Sequence, residues 1–301
     1  MDAQNCLRIA AAGDLHCSEH RRVEIRRSVE GLRDRADMVL LCGDLTTHGE
    51  PNQAAVLAEA CAELEVPVFA VLGNHDWHAN RTEELIEVLQ SGGIRVLERD
   101  WVECEAGGLE VGLVGLKGFV GGFPGSHLPD FGEPLLREVY AEATREIDAL
   151  DQGLREIATC PTRIVMLHYA PCEATIAGEP QGIWAFLGTD RLAAPIAEHE
   201  PDLVLHGHAH AGTFEGAIGD VPVYNVSVPV IARDFWLFEL DVPARARAHS
   251  LAAVHRLEQL REVLVDDVAL DLQRRRELAV LHRQVMIEDG ELLDLLHLGI
   301  V

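Results

Sequence analysis

Short apolar runs alternate with amphipathic stretches over the first two thirds of the chain, the arrangement expected where helices cover a sheet. Leu7–Ala12, Met38–Cys42, Pro67–Val71, Arg163–Leu167 and Leu203–Leu205 are mostly apolar over strand length. Between them, Glu24–Arg35, Asn52–Leu64, Thr82–Gln90 and Pro134–Ala158 have helical spacing, the last with Glu and Arg pairs suited to an exposed face. A different texture occupies 94–117 and 212–240. There Val111, Val114, Val223, Tyr224, Trp236 and Phe238 stand between Gly and Pro turns and read as further strands. Two layers of sheet with flanking helices accommodate all of these, which makes the expected fold α/β.

Beyond Asp241 the pattern changes. From Ala244 to Asp289 there is no Gly or Pro, and Leu257, Leu260, Leu264, Val268 and Leu272 recur on one helical face. The expected organisation is a domain over 1–241 and a helical C-terminal extension over 242–301. Such a stripe buries itself on its own domain or on a second copy of the chain, so a homo-oligomer through these helices is one expected partner state.

Polar residues at the strand ends carry the candidate chemistry. Asp14-Leu15-His16, Gly43-Asp44, Gly73-Asn74-His75-Asp76, His168 and Gly207-His208-Ala209-His210 each follow an apolar run closely. Loops at the carboxyl ends of strands converge over a crevice, so these side chains are expected to meet. Two divalent ions about 3.5–4 Å apart need a bridging ligand, which a carboxylate supplies, while imidazoles and an amide oxygen complete the shells. Asp44 is the expected bridge. Asp14, His16, Asp44 and His210 are assigned to one ion, and Asp44, Asn74, His168 and His208 to the other. The mixed nitrogen and oxygen donors suit manganese, iron, zinc, cobalt or nickel better than calcium or magnesium, with manganese the expected metal. A metal-bound hydroxide is the expected nucleophile, because coordination lowers the pKa of water. His75 is the candidate general acid for the leaving alkoxide, with Asp76 either orienting its ring or capping a helix.

Residues around these segments have two readings each. His206 ends an apolar strand and reads as a hydrogen-bonded structural histidine rather than a ligand. His48 and His78 flank the metal segments and are the better pocket candidates among the loop histidines. Cys17 and Cys172 follow His16 and His168 closely and read first as small apolar fillers. Trp77, Phe119 and Phe123 are the candidate substrate-binding aromatics. The stretch 117–125, with four glycines, is either a lid carrying its two phenylalanines over the cleft or a turn tucking them into the core.

Charge narrows the partners. The balance of 25 basic against 50 acidic residues, a formal −25, weighs against long nucleic acid as a partner. Seven scattered cysteines without a Cys-x-x-Cys pair point to a reducing compartment. The first residues show neither a basic leader nor a long apolar stretch, so no membrane partner and a cytoplasmic location are expected.

The five segments resemble the signature of the calcineurin-like metallophosphoesterase superfamily: Asp-x-His, Gly-Asp, Gly-Asn-His-Asp, His and Gly-His-x-His, in that order from Asp14 to His210. The resemblance implies a four-layer α/β/β/α sandwich of two mixed sheets flanked by helices. It also implies a dinuclear-metal-dependent hydrolase of phosphate esters with the ligands assigned above. The stretch 43–51, GDLTTHGEP, is similar to a Gly-Asp-Leu-x-x-x-Gly segment of phosphodiesterase-like members, so a phosphodiesterase on small substrates is expected. A phosphomonoesterase or protein phosphatase is the alternative. A DNA nuclease is disfavoured by the acidic charge, and a non-catalytic scaffold by the intact His75 and ligand positions.

Overall fold

Alternation within the strands decides which layer each side chain enters, because successive residues of a strand point to opposite faces. The computed structural model describes residues 6–241; the expected helical extension over 242–301 lies outside the described residues. In chain order the elements begin with β1 (Cys6–Ala12), α1 (Arg22–Glu30), β2 (Met38–Cys42), α2 (Pro51–Cys61), β3 (Val68–Val71), α3 (Thr82–Ser91) and β4 (Ile94–Val96). There follow β5 (Asp100–Ala106), β6 (Leu109–Gly115), α4 (Pro134–Glu156), β7 (Thr162–Met166), and the short helices α5 (Glu173–Ile176), α6 (Trp184–Leu187) and α7 (Ala193–His199). The series ends with β8 (Leu203–His206), β9 (Glu215–Ile218), β10 (Val221–Asn225), α8 (Val228–Ile231) and β11 (Trp236–Asp241).

These strands form two mixed sheets. The first has the order β11-β1-β2-β3-β4, and the second β5-β6-β7-β8-β10-β9. In the first, β1 through β4 run parallel and β11 lies antiparallel against β1, pairing Leu7 with Leu240 and Ala11 with Trp236. In the second, β6, β7, β8 and β10 are parallel, with β5 and β9 antiparallel at the two edges.

Three apolar layers bind these parts together. Leu7, Ile9, Ala11, Met38, Leu40 and Phe69 from one sheet meet Val111, Leu113, Ile164, Met166 and Leu205 from the other. The intervening residues Ala10, Ala12, Val39, Leu41 and Ala70 pack outward against Ile25, Val29, Leu57, Leu85 and Leu89 of α1, α2 and α3. On the far side, Val114, Val165, Val204 and Val223 pack on Leu150 and Leu154 of α4 and Ile196 of α7. The result is the four-layer α/β/β/α sandwich.

Departures from the expected boundaries are local. The first helix stops at Glu30 rather than Arg35. Gly31 follows it, successive turn hydrogen bonds carry the chain on, and Asp34 adopts φ 62° before Asp37 accepts the Arg8 guanidinium and backbone N–H. Within 212–240, residues Val228–Ile231 form a helical turn that Pro229 starts, instead of continuing a strand. Among the described residues no helix is long and apolar enough to cross a membrane.

The layer between the sheets sets the stability of the whole. Leu113→Ala, at a fully buried position between them, is expected to cost about 2–5 kcal/mol, read as a lowered midpoint in chemical denaturation with an unchanged slope.

Candidate metal centre

Five loops leave the carboxyl ends of β1, β2, β3, β7 and β8 and deliver Asp14, Asp44, Asn74, His168 and His208 to one place. Backbone ties hold the first two loops side by side: Asp14 N–H donates to the Gly43 carbonyl, and His16 N–H to the Asp44 carbonyl. Four of the side chains sit on left-handed backbone, Asp14 at φ 59°, His16 at 45°, Asp44 at 48° and His208 at 69°. Such conformations cost about 1–3 kcal/mol each for non-glycine residues and persist where the surroundings enforce them. Two glycines make the approach feasible. A Cβ at Gly73 would collide with Asp44 Oδ1, and one at Gly43 would collide with the His168 ring.

The ligand atoms fall into three overlapping groups, each within 4.8 Å: Asp14, His16 and His210; His16, Asp44 and His75; and Asp44, His168 and His208. His168 Nδ1 donates to the Cys42 carbonyl at 3.0 Å, and its Nε2 lies 3.0 Å from Asn74 Oδ1 and 3.4 Å from Asp44 Oδ1. Three ligand atoms converging in this way suit a cation. His208 Nε2 donates to the Phe186 carbonyl at 3.0 Å, freeing its Nδ1. Asp14 lies between His210 Nε2, 2.8 Å from its Oδ1, and the His208 backbone N–H, 2.9 Å from Oδ2. Neutral imidazoles, buried carboxylates and an amide oxygen are the donor set a transition metal takes.

Burial tunes the same groups. It pushes the His208 imidazole down to about 3 and that of His206 to about 4, so both rings are neutral at ordinary pH. Burial works against ionising Asp14, but the His210 hydrogen bond and the nearby His168 outweigh it and hold that carboxyl below its usual range. His210 is raised in turn, chiefly by the Asp14 hydrogen bond.

Two of the expected site residues have other duties. Asp76 accepts hydrogen bonds from the backbone N–H groups of Leu45, Thr46 and Gly73 and from the Thr46 hydroxyl, all at 2.7–3.0 Å. It braces the two loops against each other and does not orient His75, whose Nδ1 donates to the Thr47 carbonyl at 2.8 Å. Phe123 is fully buried and packs edge-on against Trp184 beside Ala170 and Leu187, so it belongs to the core and lines no cleft. The glycine-rich stretch around it is tied down by Gly121 N–H to the Ala185 carbonyl and Gly122 N–H to that of Gly188, which is a fixed turn and no lid.

The other residues fall as follows. Trp77 and Phe119 line a cavity of about 470 Å³ that begins at Asn74. His206 is buried, 2.8 Å from the Thr175 hydroxyl. Burial pushes the Cys17 thiol up to about 12, and Cys172 is likewise buried, so both fill space. His48 and His78 are exposed, with their rings 6.0 Å apart. Sequence reasoning missed Thr46 and Thr47, whose hydroxyl and carbonyl hold Asp76 and His75, and it missed the cavity residues Glu98, Lys117 and Tyr169.

A carboxylate and imidazole cluster at the meeting of two sheets is the centre of a metal-dependent hydrolase. The chain belongs to the calcineurin-like phosphoesterases, whose family model matches residues 7–212, and it is accordingly a metal-dependent hydrolase of phosphate esters. Comparison with curated protein sequences returned no significant match. Among solved structures it is similar to a phosphopantetheinyl hydrolase from Mycobacterium tuberculosis, at 16% identity over 75% of this chain and 92% of that one, with a TM-score of 0.55. It is also similar to a putative 5′-nucleotidase from Staphylococcus aureus, at 14% identity over 82% of this chain and 58% of that one, with a TM-score of 0.49. At 16% identity the likeness to the first of these speaks for the fold alone.

Gly73→Ala is expected to weaken metal binding by about 10- to 100-fold, because Asp44 must move away from the new methyl group. Gly182→Ala, where a Cβ meets nothing within 4 Å, is the control. Titration calorimetry with manganese distinguishes them, and equal affinities would remove the close approach from the account.

Proposed function

We propose that this protein is a dinuclear-metal-dependent phosphodiesterase acting on small substrates. The observation that supports it is the overlap of the three ligand groups at His16 and Asp44, which suits two ions sharing one carboxylate. Asp14, His16, Asp44 and His210 would hold one ion, and Asp44, Asn74, His168 and His208 the other, with manganese the proposed metal. When bound, such ions lower the pKa of a coordinated water and polarise the phosphoryl oxygens.

The chain's own residues do the rest. The Thr47 carbonyl fixes the His75 ring, so that Nε2 faces Asp44 Oδ2 at 3.8 Å. Protonated at Nε2, His75 hands that proton to the departing alkoxide. Trp77 and Phe119 flank the ester's organic group in the adjoining cavity. A diester suits the surroundings better than a monoester, which brings one more negative charge. Of the cations beside the cavity, Arg99 is already held by Glu142 and Glu146, which leaves the Lys117 ammonium alone to meet a second negative charge. Seven free cysteines, three of them with thiols pushed up to about 12 chiefly by burial, agree with a reducing cytoplasm.

Two measurements test this reading. Asp44→Ala is expected to release metal, by elemental analysis, and to abolish hydrolysis of bis-p-nitrophenyl phosphate, which the wild type turns over faster than p-nitrophenyl phosphate. Near-normal turnover in that variant would sink the shared-carboxylate centre, and a monoester preference would sink the diester assignment. His75→Ala is expected to slow esters of alkyl alcohols by about 10²–10⁴-fold and p-nitrophenyl esters much less, since nitrophenolate leaves without a proton. Equal losses on both would take the general-acid role from His75.

A further inference from the structure

Lys117 is the only lysine in a chain with 25 Lys and Arg residues. It follows the end of β6 and is 8% exposed. Its ammonium donates to the Gly118 carbonyl at 3.1 Å and lies over the Phe119 ring, 4.4 Å from the centroid, with the Tyr169 and Trp77 rings at 5.3 and 6.0 Å. It forms no ion pair among the described residues. Glu146, the nearest buried carboxylate in sequence terms on α4, is taken by the Arg99 guanidinium and the Gly118 N–H, and Glu142 by Arg99 and Arg145. An ammonium has three donors, and burying one with a single oxygen partner is costly.

The position of this cost is informative. Lys117 lines the cavity of about 470 Å³ that opens at Asn74 and is further walled by Trp77, Glu98, Phe119 and Tyr169. Glu98 Oε1 accepts the Leu72 N–H, and burial pushes its carboxyl up to about 7. A cationic guest would set a second positive charge beside the buried Lys117 ammonium, which forms no ion pair among the described residues. An anionic one would add to Glu98, Glu142 and Glu146, three carboxyl groups that share this lining with two cations, Lys117 and Arg99. A neutral guest that accepts from an ammonium and donates to a carboxylate meets neither objection. Every other Lys/Arg position in the chain is arginine, whose planar fork spreads its donors where an ammonium concentrates them at one point.

We propose that this cavity takes the organic group of the ester and selects a neutral one bearing a carbonyl and an N–H, which thymine, uracil and guanine present on one edge and an open-chain trans amide on opposite sides. Lys117 donates to the carbonyl, Glu98 accepts from the N–H, and Trp77 and Phe119 cover the apolar body. This rests on the phosphodiesterase reading above.

Because the chain has one lysine, growth on lysine carrying ¹³C at Cε labels a single side chain, at Lys117. In zinc-loaded protein, which is diamagnetic, that one signal is expected to shift on adding thymidine or N-acetylethanolamine and to stay put with choline. In parallel, kcat/KM is compared for p-nitrophenyl phosphodiesters whose second group is thymidine (5′-linked), N-acetylaminoethyl, choline or methyl. The thymidine or the N-acetylaminoethyl ester is expected to exceed the methyl ester by about tenfold or more, and whichever does so identifies a nucleobase or an open-chain amide as the guest. Lys117→Met is expected to bring that ratio near one, with Lys117→Arg restoring it only in part. Four esters within about threefold of one another, a preference for choline, or a ratio unchanged in folded Lys117→Met would each overturn the proposal. If bis-p-nitrophenyl phosphate is not hydrolysed, the phosphodiesterase reading fails by itself. The wild-type signal then still decides whether the cavity binds: no shift with thymidine or N-acetylethanolamine overturns this inference even where hydrolysis stands.

Discussion

Three carboxylates, Asp14, Asp44 and Asp76, are buried within one neighbourhood, and the problem of keeping them there shapes everything around them. Burying an ionised carboxylate costs several kcal/mol unless hydrogen bonds or opposite charge offset it. Asp76 is satisfied by four donors from two loops. Asp14 is satisfied by His210 and the His208 N–H. Asp44 accepts one hydrogen bond among the described residues, from the His75 N–H, while its remaining oxygen faces imidazoles. The carboxylate that accepts the fewest hydrogen bonds among the described residues is therefore the one between the ligand groups, where a cation would supply what the chain does not. The left-handed backbone at Asp14, His16, Asp44 and His208 and the missing Cβ at Gly73 follow from the same crowding.

That crowding depends on the sheets meeting. Asp14, Asp44 and Asn74 follow strands of the first sheet, and His168, His208 and His210 follow strands of the second. Neither sheet holds a complete set, so the centre exists only when the apolar layer between Ile9, Leu40, Leu113 and Met166 has closed. Metal affinity and folding stability are thereby coupled, as they are wherever ligands come from separate elements. The neighbouring cavity is assembled in the same way, from the turn bearing Glu98 after β4, Lys117 after β6 and Tyr169 after β7.

Much of the frame was legible because strand and helix periods differ. The run Met38–Cys42 matches its observed strand, and Thr82–Gln90 falls one residue short of α3. The ends moved where a turn intervened, as at Gly31, since apolar periodicity is silent on whether a turn stays helical. Strand order was beyond reach. Nothing local in Trp236–Asp241 says that it returns to pair with β1 rather than joining its neighbours in the second sheet, because that pairing is decided by which edge is free.

The sequence by itself determined the chemistry: which residues could bind metal, that they follow strands, and the family to which their order belongs. It could do so because ligand type and spacing are local properties, written in five short segments. The tertiary structure alone decided what each neighbour does. Phe119 and Phe123 are four residues apart in one glycine-rich stretch, yet one lines the cavity and the other is sealed against Trp184. Asp76 adjoins His75 in the chain but braces Leu45 and Thr46, while a carbonyl from another loop fixes the histidine. A lone lysine became notable only once its burial beside the metal centre was known. Contacts between distant segments carry no signature in either segment, and they form only when the layers pack.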